Sequence, residues 1–195
     1  MNALTLNYSL APENPFPAGL MDIKYAWQWL LVQGYRPDEI IIGGDSSGGG
    51  LVLSLLLLLK KENSPLPHSC FLLSPMLDYT LSGDSISSCA KKDPMICIED
   101  LRQTVAYYCS HAETSNPLVS PLFGDLTGLP PLLIQTGSDE LLLDDSIRLA
   151  KQATEAGVNV QFEVWNGLWH VFQSSAGEIP EANRAIRRIA SFIHS

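Results

Sequence analysis

Positive charge is scarce in this chain. Against 21 Asp and Glu stand 12 Lys and Arg, a formal net charge of -9. A surface of that sign repels nucleic acid and anionic membranes, and it argues for neither as a partner. The acidic residues are scattered rather than gathered into runs, as on an ordinary solvated face. Long apolar runs are missing too: Leu51 to Leu59 is the longest leucine-rich stretch, far short of the ~20 residues that span a bilayer. The four cysteines, Cys70, Cys89, Cys97 and Cys109, show no Cys-x-x-Cys spacing and no histidines at metal-ligand intervals, so they read as ordinary apolar residues. Neither a metal nor a cofactor is expected. No basic segment followed by an apolar core opens the sequence, which makes the cytoplasm the expected location. Internal repeats and low-complexity tracts are absent.

What is present is enough apolar material for one core. At 195 residues and 46% hydrophobic, the chain reads as one domain, 1-195. Strand and helix patterns alternate, the signature of an α/β fold with a mainly parallel sheet covered on both faces. Strands are expected near 4-8, 39-43, 70-74, 132-136 and 160-165, and helices near 18-33, 47-61, 99-110, 144-156 and 181-194. Between them lies an excursion, 77-128, too long for a simple connector. Its helix, with Leu101, Val105, Tyr108 and Cys109, reads as packed onto a neighbour rather than as a ligand contact. Trp165 and Trp169 read as core anchors.

The most specific stretch is Ile40-Ile41-Ile42-Gly43-Gly44-Asp45-Ser46-Ser47-Gly48-Gly49-Gly50-Leu51. An apolar strand runs through Gly-x-Ser-x-Gly into a leucine-rich helix, the succession that confirms a nucleophile elbow. A serine hydroxyl becomes a useful nucleophile when a strained turn exposes it at the carboxyl end of a strand, aimed at a base. A β-carbon at Gly44 or Gly48 is expected to collide with neighbouring backbone. The helix that starts behind Ser46 directs its first amides and positive dipole end toward developing negative charge.

A base and its orienter follow in a workable order. Leu132 to Thr136 reads as a buried strand broken at Gly137, which places Asp139 in the loop at its end, with Glu140 in reserve. Gln161 to Trp165 alternates as a strand, and His170 lies in the loop beyond it. Among the other histidines, His68 sits in a Pro-rich connector, His111 follows a helix and His194 is next to the carboxyl terminus. Asp144 and Asp145 are expected to cap or charge the first turn of the following helix. Ser46, Asp139, His170 is the chain order of an α/β-hydrolase triad, and each member follows a separate strand, where the active-site loops of a parallel sheet gather.

Several motifs together carry a family resemblance. Leu10-Ala11-Pro12-Glu13-Asn14-Pro15-Phe16-Pro17-Ala18, the Gly44-Asp45-Ser46-Ser47-Gly48-Gly49 elbow, Ser120-Pro121-Leu122-Phe123, Gly128-Leu129-Pro130-Pro131-Leu132 and Trp169-His170-Val171-Phe172 resemble the hormone-sensitive-lipase-like esterases of the α/β-hydrolase superfamily. The resemblance runs over nearly the whole chain. It implies hydrolysis of small or short-acyl carboxylic esters, or of lactones, through an acyl-enzyme. Ser46 would be the nucleophile, His170 the base, Asp139 its orienter and the Ser47 amide an oxyanion donor. By the same resemblance 77-128 is part of the lid and acyl-pocket wall.

The departures matter equally. Ser47 stands where the family usually has alanine. Asn7-Tyr8-Ser9 replaces the family's Asp-Tyr-Arg and removes both members of a charge pair. The family's His-Gly-Gly-Gly tract, upstream of the strand expected at 4-8, is not in these 195 residues, and the first strands implied by the resemblance are lacking with it. Those glycine amides form most of the oxyanion hole, and loss of even one such donor typically costs about 10²- to 10³-fold in rate. Residues 4-8 are therefore expected either to pair with Ile40 to Gly43 or to remain unpaired, with self-association as an outcome. A catalytically inactive fragment, or a small-molecule-binding protein on the same fold, is the alternative reading. The retained His170 favours an enzyme.

Overall fold

Short apolar runs bounded by turn residues become the four strands of one parallel sheet, in the order β1-β2-β3-β4. They are β1 (Ile41–Asp45), β2 (Ser69–Leu73), β3 (Leu132–Gly137) and β4 (Val160–Trp165). The computed structural model describes residues 2-194. The interior strand β3 is buried along its whole length, as a strand covered on both faces must be. Its two polar side chains are not left stranded. Gln135 Nε2 donates to Glu163 Oε2 at 2.9 Å and to the Ala185 carbonyl at 3.2 Å, while its Oε1 accepts from Gln173 Nε2 at 3.1 Å.

Among the described residues six α-helices dress the sheet: α1 (Ala18–Val32), α2 (Ser47–Lys61), the four-residue α3 (Ser85–Ser88), α4 (Ile98–Cys109), α5 (Leu143–Glu155) and α6 (Pro180–Ile193). Side chains alternate across a strand, so the two faces have different partners. Cys70, Leu72, Leu132 and Ile134 face α2 and α5 and form the main core with Leu53, Leu56, Leu149 and Ala153. Leu133 points the other way and packs on Ile189 and Phe192 of α6. Burial raises the Cys70 thiol to about 12, so this cysteine is an inert filler of the core. The other three cysteines are also free thiols.

Helix α1 explains itself by two apolar stripes. Leu20, Ile23, Trp27 and Leu31 pack on Leu51, Leu55 and Leu59 of α2. Tyr25, Trp29 and Val32 face outward and remain 58%, 52% and 82% exposed. The excursion 77-128 makes its own cluster, in which Tyr79, Ile86, Leu101, Cys109 and Val119 close over Met76, Leu141 and Leu142. The α4 residues thus pack, as their spacing predicts. Among the described residues no helix is long and apolar enough to cross a membrane.

One expected element does not form. Residues 2-10 carry no regular secondary structure, so the strand expected at 4-8 is absent and does not pair with β1. A strand has no existence apart from a hydrogen-bonded neighbour, and α1 and α2 do not offer one. The segment is tied down instead by the Ser9 amide, which donates to Asp22 Oδ2 at 2.8 Å, and by Tyr8, which packs against the cluster of Leu20, Trp27 and Leu51.

Candidate active site

The elbow is built by close approach. At Ser46 the backbone takes φ 51° and ψ -123°, a sparsely populated combination for a residue with a side chain and a form of strain that collects at functional sites. Three hydrogen bonds hold it. The Ser46 amide donates to Leu73 O at 2.9 Å, and its carbonyl accepts from Met76 N at 3.0 Å and Gly50 N at 3.2 Å. A β-carbon on Gly44 would lie 2.5 Å from the Gly48 carbonyl group, on Gly49 2.8 Å from Pro75 Cβ, and on Gly50 2.2 Å from Met76 O. Gly48 departs from expectation, for a β-carbon there meets nothing nearer than Tyr8 Oη at 4.0 Å. The turn lets the chain cross at Gly44 and Gly49, leaving Gly48 on the open side.

The histidine arrives from the opposite edge of the sheet. After β4 the chain turns at Gly167 (φ 71°) and reaches His170, followed by Val171 in the left-handed region at φ 51°. His170 is 5% exposed, and its Nε2 sits 2.9 Å from Ser46 Oγ. Leu168 and Phe172, with Ala182 and Ala185 of α6, anchor the loop, and Trp165 packs on Phe172 with ring centroids 5.6 Å apart. Both tryptophans of this stretch join that cluster. His68, His111 and His194 are exposed.

The carboxylate that faces the histidine lies one residue beyond the expected one. Gly137 is flush against the histidine loop, where a β-carbon would lie 2.2 Å from Leu168 O. The next turn is then pinned, with the Asp139 amide donating to Leu168 O at 3.0 Å. Asp139 keeps its side chain at the half-buried rim, accepting from Ser138 Oγ at 3.1 Å. Glu140 turns inward instead. It is fully buried, and its Oε1 faces His170 Nδ1 at 3.7 Å. Neither of those two atoms has a hydrogen-bond partner, although both are buried. Two orphaned polar atoms aimed at each other, with a gap that a sub-ångström shift would close, are a poised hydrogen bond. The structure therefore brings Ser46, His170 and Glu140 together and leaves Asp139 outside.

Two features went unread in the sequence. Ser74, at the end of β2, donates from Oγ to Glu140 Oε2 at 2.7 Å and accepts from Val171 N at 3.0 Å. Its only signals are the Ser-Pro turn pair and its place at a strand's carboxyl end. Asp144 and Asp145 stand in the first turn of α5, as expected, but neither side chain caps it. Asp144 Oδ2 accepts from Ser85 N at 2.8 Å, and Asp145 Oδ2 from Leu77 N at 2.7 Å and Asp78 N at 3.0 Å. Both carboxylates clamp the start of the excursion onto the first turn of α5, directly after the loop that carries Glu140. Burial pushes Asp145 up to about 7, with the nearby Asp78 charge adding to the shift.

Beside the elbow opens a cavity of about 210 Å³, lined in part by Tyr8, Ser47, Leu51, Tyr79, Thr104 and Tyr108. Ser47 is the first residue of α2, where backbone amides lack intrahelical acceptors. Among the described residues no group of three or more His, Cys, Asp and Glu is placed to hold a metal ion.

Comparison with known proteins agrees with this architecture. A model of the α/β hydrolase fold family matches residues 1-174. An esterase of Acinetobacter venetianus is 43% identical over 196 residues, covering 100% of this chain and 65% of the relative. An acetyl-hydrolase of Streptomyces hygroscopicus is 38% identical, covering 98% and 64%. The crystal structure of an esterase from the bacterial hormone-sensitive lipase family superimposes with a TM-score of 0.94 at 44% identity, over 96% of this chain and 63% of that one. The chain thus spans a little under two thirds of the relatives it matches. A four-stranded parallel sheet, the strained serine against its histidine, and these likenesses place the chain in the α/β hydrolase fold family, among the hormone-sensitive-lipase-like esterases.

Proposed function

We propose that the chain carries the nucleophile, base and acid of a carboxylic ester hydrolase acting on small or short-acyl esters. Ser46 Oγ attacks the ester carbonyl while His170 Nε2 takes its proton, and the imidazolium returns that proton to the leaving alcohol. Glu140 holds the imidazole tautomer and faces its developing charge. Water then clears the acyl group by the same steps. The observation that carries the reading is the 2.9 Å contact of His170 Nε2 with Ser46 Oγ, backed by a buried carboxylate on the far nitrogen.

The cavity beside Ser47 supports a small acyl group. Its volume of about 210 Å³ lies below the ~300–1,000 Å³ typical of sites for drug-sized ligands. The Ser47 amide is the oxyanion donor this chain supplies. With no His-Gly-Gly-Gly tract in the sequence, and each missing donor costing about 10²- to 10³-fold, slow turnover is the expected behaviour of these 195 residues. p-Nitrophenyl butyrate hydrolysis and labelling by a fluorophosphonate test the reading together. Slow turnover with label on Ser46, both lost in Ser46→Ala, is the expected result. Hydrolysis and labelling that survive in Ser46→Ala would refute it.

A further inference from the structure

The geometry points to Ser74 as a positioning residue that sets Glu140 against His170, an inference that rests on the hydrolase reading above. A hydroxyl has one proton to give and two lone pairs to offer, and Ser74 uses both capacities on the site. It donates to Glu140 Oε2 at 2.7 Å and accepts from Val171 N at 3.0 Å, and so touches both the carboxylate and the residue that follows His170. Its own position is firm. Ser74 is fully buried, its amide donates to Gln135 O at 2.8 Å, and φ is 46°, a left-handed backbone that a serine adopts only where the surroundings enforce it.

The terminal torsion of a glutamate is broad, so a buried carboxylate does not choose its orientation unaided. Oε2 of Glu140 is fixed by two donors, Ser74 Oγ and the Gly137 amide at 2.9 Å. With both in place Oε1 has one direction left, toward Nδ1 of His170 at 3.7 Å. Removing the hydroxyl frees that rotation and takes the acceptor from Val171 N, whose residue also sits at a positive φ of 51°. One atom thus registers acid to base across β2, β3 and β4.

A merely structural Ser74 would satisfy a buried carboxylate and affect stability alone. The test uses the 195-residue chain and a fluorophosphonate that labels Ser46, with the labelling rate followed against pH and the melting temperature taken in parallel. Ser74→Ala removes the hydroxyl, Ser74→Gly does so while relieving the backbone, and Ser74→Cys keeps the shape with a weak donor. The expected result is a tenfold or greater loss of labelling rate in the folded Ala and Gly variants. Their pH midpoint moves down, because a carboxylate no longer held toward the ring stabilises the imidazolium less. Ser74→Cys falls between them and the parent. Folded variants that match the parent in rate and midpoint overturn the assignment. Failure of the parent to label at Ser46 would instead overturn the hydrolase reading, so the two failures are distinguishable.

Discussion

Replacing Glu140 by glutamine and, separately, Asp139 by asparagine sets the proposed acid against the one the sequence favoured. Both changes remove a single charge at nearly constant shape. Glu140 is fully buried and its Oε1 lies 3.7 Å from His170 Nδ1. At that distance, with an effective dielectric constant of about 20, a carboxylate and an imidazolium attract by about 4 kcal/mol. At 1.36 kcal/mol per tenfold, this corresponds to roughly three decades of rate. A triad that keeps its geometry but loses its carboxylate gives a comparable scale, about 10⁴ in kcat. Glu140→Gln is therefore expected to slow fluorophosphonate labelling of Ser46 by about 10³-fold. Asp139 is half-buried and bonded to Ser138, so Asp139→Asn should stay within about threefold, as changes of weakly coupled surface polar groups do. Circular dichroism and melting temperature confirm that each variant is folded. A crippled Asp139→Asn beside a near-normal Glu140→Gln would refute the argument outright.

Two further outcomes follow from groups outside the proton path. Asp145 has a folded value pushed up to about 7, chiefly by burial, and it faces the Asp78 carboxylate and Arg148. The unfolded value is about 3.9, so the folded state binds more protons between the two and stability must fall as pH rises through that window. The upper limit is about 4 kcal/mol. The melting temperature should drop by several degrees between pH 5 and 8, and Asp145→Asn should flatten the slope; a parent whose melting temperature rises there contradicts the claim. The second outcome concerns the outward stripe of α1, Tyr25, Trp29 and Val32, together with the outer edge of β1, which pairs with no further strand among the described residues. An exposed apolar stripe and an open strand edge each favour association with a second copy. Light scattering should show concentration-dependent association that Val32→Lys weakens, and a monomer at every concentration would dispose of this expectation.

Much of the architecture was legible because its signals are local. The helices α1, α2, α4, α5 and α6 lie within about two residues of the boundaries read from periodicity, and Ser46 and His170 meet as their chain order predicts. What escaped depends on contacts distant in sequence. Residues 4-8 have strand-like composition, yet pairing is a property of two segments and no partner lies alongside. Asp139 and Glu140 are adjacent, and which one turns inward is decided by the seating of Gly137 under Leu168, 31 residues further along the chain by the numbering. Asp144 and Asp145 occupy the first turn of a helix where capping is the ordinary role, but the incoming amides of Leu77, Asp78 and Ser85 claim them first. Ser74 looks like any serine before a proline until β2 and β3 are laid side by side.

Four successive parallel strands each deliver one member of the site at their carboxyl ends: Ser46 after β1, Ser74 after β2, Glu140 after β3 and His170 after β4. The members differ in how firmly they are held. Ser74 and Glu140 are buried and follow the two interior strands, and His170, although it follows the other edge strand, is itself buried and anchored by its loop on α6. Ser46 hangs from β1, an edge strand whose residues are half-buried or exposed, and it is restrained by the bond of its amide to Leu73 and by the glycine contacts of α2. Disturbance at the β1 edge therefore reaches Ser46 and the Ser47 amide before it reaches Glu140 and His170. A change on the outward side of α1 or β1 should shift the rate at which Ser46 reacts while leaving the histidine's pH dependence in place. A change at Ser74 or Glu140 should alter both.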